Sequence, residues 1–89
     1  MLDDRRKRLK FRAWRRGFRE IDLILGGFVD KHVTTLDEAD LAAFEALLDE
    51  RDLEVYDWIV GRSPAPPQHE TPLLYRLRAF RPDGSPESA

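Results

Sequence analysis

Glycine 17 stands between Arg16 and Phe18 in a stretch otherwise filled with helix-forming residues, and it divides the first thirty positions into two helices instead of one. Glycine inside a helix costs about 1 kcal/mol relative to alanine, so a chain that places one here uses the missing Cβ. Two uses fit: a sharp corner between helices, or a spot where another molecule lies close against the main chain. The surrounding pentad Arg16-Gly17-Phe18-Arg19-Glu20 brackets the glycine with arginines and sets a carboxylate three positions later. If Gly17 is the N-cap of the second helix, Glu20 falls at the capping-box position and favours the positive end of the helix dipole.

The remaining periodicity is helical. From about Asp3, a candidate N-cap, to Arg16, the apolar residues Leu9, Phe11, Ala13 and Trp14 form a narrow stripe on a cationic rod. Phe18, Ile21, Ile24, Leu25 and Phe28 give the second helix, about 18–30, a core-facing side, with a kink or early end expected at Gly26-Gly27. Thr35-Leu36-Asp37-Glu38 fits a capping box opening a third helix that buries Leu41, Phe44, Leu47 and Leu48. Asp52 is the candidate cap of a fourth, with Val55, Tyr56, Ile59 and Val60 inward and Gly61 as its C-terminal stop. Ser63 to Pro67 reads as a stiff connector, and Thr71-Pro72 opens a short fifth helix carrying Leu73, Leu74, Leu77 and Phe80. No β-type alternation persists. The expectation is an all-α, compact single-domain bundle of about five short helices over residues 1–80, with a disordered tail over 81–89.

The 89 residues carry a formal charge of only −2, which conceals a polarised chain. Positions 1–20 hold nine Lys/Arg against three acids, whereas positions 21–57 hold Lys31 and Arg51 against eleven carboxylates. Segregation of this kind orients an approaching partner and speeds encounter. No cysteine is present, so disulfides and thiolate chemistry are excluded. No apolar run reaches the roughly 18 residues that span a bilayer. The Arg5–Arg19 segment has the arginine content of a transit peptide, but Asp3 and Asp4 precede it and it lacks serine, so a soluble protein of a bacterial cytoplasm is expected.

Catalytic constellations are not evident. His32 and His69 read as surface histidines in separate connectors, without metal-ligand spacing. The carboxylates between Asp37 and Glu54 repeat as a solvated helix face or an acidic patch. Tyr56 and Trp58 read either as packing residues or as exposed anchors for a partner, and Trp14, set among arginines, is the stronger interface candidate. A basic first helix with interleaved Phe11, Trp14 and Phe18 also suits nucleic acid or an antitoxin-like regulatory role, although the acidic second half would repel phosphate.

The run Arg15-Arg16-Gly17-Phe18-Arg19-Glu20-Ile21-Asp22 resembles the RGxxE signature of the succinate dehydrogenase assembly factor family, the small flavinylation factors of bacteria and mitochondria. The resemblance extends over about residues 8–80 and includes the preceding basic helix, the acidic third helix and Tyr56-Asp57-Trp58-Ile59 before a Gly and Pro break. It implies a non-catalytic five-helix protein that binds the flavoprotein subunit of succinate dehydrogenase, and often of fumarate reductase, and promotes covalent attachment of FAD to a histidine of that subunit. The motif maps onto Arg16, Gly17 and Glu20. Arg8, Arg12, Trp14, Arg19 and Trp58 join them as expected partner contacts. A monomer with no stably bound cofactor, no metal, no nucleic acid and no membrane insertion is the corresponding expectation.

Overall fold

Five helices arise where the apolar spacing demands them: α1 (Asp4–Ala13), α2 (Arg19–His32), α3 (Glu38–Leu48), α4 (Asp52–Val60) and α5 (Pro72–Ala79). Short 3₁₀ turns at Val33–Thr35 and Pro67–His69 complete the order. The structure, a computed structural model, describes residues 2–81. Of the tail expected over 81–89, residues 82–89 lie outside the described residues. α1 packs on α2 and α3, while α5 lies against α2, α3 and α4. Between them Phe28 meets Phe44 at 6.1 Å and Phe80 edge-on at 5.7 Å, with Leu25, Leu47, Leu73 and Leu77 fully buried around the rings. The expected all-α bundle is therefore the observed one.

Local signals place several boundaries as read. Asp3 caps α1 by accepting from the Arg6 amide at 2.8 Å, and Thr71 caps α5 by accepting from Leu74 at 3.2 Å, with Pro72 first in the helix. Gly61 ends α4 in the left-handed conformation at φ +85°.

Elsewhere the expected pairings give way to others. α3 is capped by Asp37, which accepts from Asp40 at 2.8 Å, not by the Thr35–Glu38 box. The 3₁₀ turn carries α2 onward, so the Thr35 hydroxyl bonds the His32 carbonyl, and Glu38 reaches across to Arg5. Arg5 also holds Glu45 at 2.7 Å, keeping that carboxyl below the usual range and tying α1 to α3. In α4 the inward residues are Val55, Trp58 and Ile59, whereas Val60 is exposed.

Gly26-Gly27 does not end α2, which runs on to His32. A Cβ on Gly26 would fall 2.2 Å from the Trp14 indole, and one on Gly27 would fall 3.2 Å from the Phe80 ring. The two glycines are the seats of two aromatic rings, and α1 stops at Ala13 instead of Arg16, with Trp14 as its C-cap. Gly26→Ala should accordingly lower stability by about 1–3 kcal/mol despite alanine's better helix propensity, because the indole has to leave its seat. A denaturant midpoint that rises in this variant would refute the packing role.

Candidate partner-binding site

The segment from Trp14 to Phe18 makes the corner between α1 and α2. The Arg16 amide leaves the helical ladder and donates to the Asp22 carboxylate in the first turn of α2 at 2.8 Å. Gly17 follows at φ +155°, a backbone setting that L side chains rarely adopt, and it is exposed. A Cβ on it would also fall 2.6 Å from Asp52 Oδ2. The corner use of the glycine is thus real, and the space a side chain would enter is taken by a carboxylate of the same molecule. Phe18, with extended backbone, is the N-cap of α2 in place of Gly17. Glu20 therefore sits at the second helical position, exposed at the positive end of the α2 dipole, and not in a capping box.

Arg16 turns inward. Its side chain is only 10% exposed and pairs with Asp52 Oδ1 at 2.7 Å. Its guanidinium also donates to the Leu48 carbonyl at 2.5 Å and the Glu50 carbonyl at 2.6 Å. These carbonyls lie at the C-terminal end of α3, where helical acceptors have lost their own partners. One side chain thereby joins the α3–α4 connection to the α1–α2 corner. The local Arg16–Glu20 pair does not form, and Asp52, expected as the cap of α4, is engaged by Arg16 instead. Arg51 stands at that N-cap without a side-chain bond.

Around the exposed Gly17 lies an open groove of about 620 Å³. Trp14, Arg15, Phe18, Arg19, Asp22 and Leu23 line it. Phe18 is braced edge-to-face on Tyr56 at 5.2 Å. Arg19 and Glu20 are exposed, and no hydrogen bond or ion pair engages either among the described residues. Their charges remain available on a surface whose main chain is held from behind.

The other candidates divide. Arg8 is exposed on α1 without a hydrogen bond or ion pair among the described residues, whereas Arg12 is engaged by Asp49 at 2.8 Å. Trp14 is half-buried, its indole on Gly26 and its Nε1 donating to Asp30 at 3.3 Å, so it forms a wall of the groove. Trp58 is core: it is 6% exposed and stacks on His69 at 5.3 Å. It presents no surface to a partner, because its position in α4 shares the buried face of Val55 and Ile59. His69 is likewise no surface histidine. It is buried with Nε2 2.6 Å from Glu50 Oε2. Asp22, Leu23 and Asp52 were not among the expected site residues. Leu23 carried a readable signal, since it falls off the Ile21–Leu25–Phe28 stripe, but nothing local marks Asp52 as the neighbour of Gly17.

Residues 7–81 match a protein family described as the flavinator of succinate dehydrogenase. The chain is 44% identical over 76 residues to the FAD assembly factor SdhE of Acetobacter pasteurianus, covering 85% of this chain and 70% of that one. It is 34% identical over 79 residues to the mitochondrial succinate dehydrogenase assembly factor 2 of Drosophila grimshawi, and 35% identical over 83 residues to that of Saccharomyces cerevisiae. These alignments cover 86% and 89% of this chain, which spans about half the length of the mitochondrial relatives, 54% and 51% respectively.

Proposed function

The chain belongs to the family of flavinators of succinate dehydrogenase, and from that premise we propose that it is an assembly factor that docks on the flavoprotein subunit of succinate dehydrogenase and promotes covalent attachment of FAD there. The observation that carries this reading is the Gly17 corner, an exposed length of main chain at the mouth of a groove, flanked by the unengaged charges of Arg19 and Glu20. Such a surface suits docking. The groove brings together no nucleophile with an adjacent base, the pairing that covalent catalysis requires. The protein works as a non-catalytic monomer in the cytoplasm, and the subunit of fumarate reductase is a second client.

The bond to be made joins a histidine imidazole nitrogen to a methyl carbon of the partner's flavin. The methyl C–H and imidazole N–H bonds break, and the electron pair and protons pass to the isoalloxazine ring, which becomes the reduced flavin. Alignment of the two groups lowers the barrier of such a step by several kcal/mol. This chain contributes position. Gly17 lets the partner approach the backbone. Phe18 and Leu23 offer apolar contact, while Arg19 takes a partner carboxylate and Glu20 a partner cation. Arg16, held from behind, keeps the corner in shape. The nucleic-acid reading is not favoured, because Arg5, Arg6, Lys10, Arg12 and Arg16 are each engaged by a carboxylate of the fold.

The test is covalent flavin on the dehydrogenase subunit, read as in-gel fluorescence after denaturation in a strain lacking this protein. A fall of about ten-fold or more is expected, corresponding to loss of part of the alignment term. Unchanged fluorescence would reject the assembly role.

A further inference from the structure

We propose that the outer face of α1 is a second docking surface, which receives an acidic segment of the flavoprotein bearing an apolar side chain. The proposal rests on the assembly function above and adds to it a contact that is separate from the Gly17 corner. A groove of about 430 Å³ lies beside the first and shares Trp14 and Arg15 with it as a common wall. Lys7, Lys10, Phe11 and Leu2 line the rest.

Phe11 is the telling residue. It belongs to the apolar stripe by spacing, yet it is 59% exposed on a helix whose buried contacts are made by Leu9 and Ala13. The Arg15 guanidinium lies over its ring, the central carbon 4.1 Å from the centroid, so the exposed aromatic carries a cation on one face. The charges around it are unbalanced. Lys7 makes no hydrogen bond or ion pair among the described residues. Lys10 meets Asp30 at 3.4 Å, a carboxylate already shared with the Trp14 indole. With Lys10 engaged by Asp30, Lys7 and Arg15 leave two uncompensated cations beside two aromatic rings. The complement of this pattern is a segment in which carboxylates flank an apolar side chain. A phosphate chain is the poorer match, since Arg5, Arg6 and Arg12 of the same helix are engaged by acids of the fold, leaving no continuous cationic track. Continuity with the corner groove assigns the occupant to the same flavoprotein.

The test measures binding of the intact chain to the purified flavoprotein subunit at low and high salt. The variants are the double substitution Lys7→Glu/Phe11→Ser and, as a control, Leu53→Ser on the exposed side of α4. The double variant should bind about ten-fold more weakly at low salt and lose much of the wild-type salt dependence, whereas Leu53→Ser should bind as wild type. If the double variant loses helicity by circular dichroism, the single Lys7→Gln decides, with a weakening of about two- to three-fold expected at low salt. Wild-type affinity in the folded double variant, or in Lys7→Gln where that decides, would overturn this proposal while leaving the assembly function standing. Loss of oligonucleotide binding alone, with flavoprotein affinity unchanged, would assign the face to nucleic acid and overturn it equally. A wild-type chain that fails to bind the flavoprotein would sink the assembly function itself, and this proposal with it.

Discussion

Replacing Arg16 with alanine is expected to destabilise the chain by about 2–4 kcal/mol, the range for removing one partner of a largely buried, multiply bonded charge. Three acceptors lose their donor at once: the carbonyls of Leu48 and Glu50 and the carboxylate of Asp52. Asp52 then remains beside Gly17 without its counter-charge. For a domain of this size the melting temperature should fall by roughly 10–20 °C. Asp52→Asn supplies the comparison, because it weakens the ion pair but leaves both carbonyl contacts intact, so a smaller loss of about 1 kcal/mol is expected. Equilibrium denaturation of the two single variants and the double variant isolates their coupling. A fully stable Arg16→Ala protein that fails only in partner binding would reverse the assignment and place this guanidinium at the interface.

The second large effect is expected for Gly17→Arg, which should abolish promotion of flavin attachment while leaving most helicity in place. Any side chain here meets two obstacles, the φ of +155° and the Asp52 carboxylate. A strained setting of this kind costs about 1–3 kcal/mol, which a domain stable by about 5 kcal/mol or more survives. Gly17→Ala carries nearly the same backbone penalty with little bulk, so the pair separates the two uses of the glycine. Retained flavin attachment with alanine and its loss with arginine, both measured well below the melting temperature, would identify close approach of the partner as the decisive need. Equal loss in both variants would make the corner alone responsible.

Much of this architecture was legible because its signals are local. Asp3, Thr71-Pro72 and Gly61 declare helix ends through neighbours three or four residues away, and the apolar stripes at helical spacing name most of the core. The misread positions share a different property: their partners are distant along the chain. Thr35 and Asp37 are the exception, two local candidates for one helix start, each bonded three residues away. Gly26 is explained by Trp14, twelve residues earlier, and Arg16 by Leu48, Glu50 and Asp52, more than thirty later. At the site, Gly17, Arg19 and Glu20 lie outward as their types suggest. Trp58 does not, because its phase on α4 turns the ring toward His69. The signature residues thus divide into those that face outward and one that holds them in place, a distinction invisible to spacing.

Pinning of the corner between Asp22 and Asp52 has a thermodynamic consequence. A loop that had to be ordered on contact would lose conformational entropy with every residue it froze, and the affinity of a small interface would suffer accordingly. Here the main chain is preorganised before encounter. The entropic penalty shrinks to the rotamers of a few exposed side chains, each on the order of 0.5–1.5 kcal/mol. Any molecule that docked on this corner would therefore meet a main chain that is already ordered, so a modest footprint would lose less affinity to ordering.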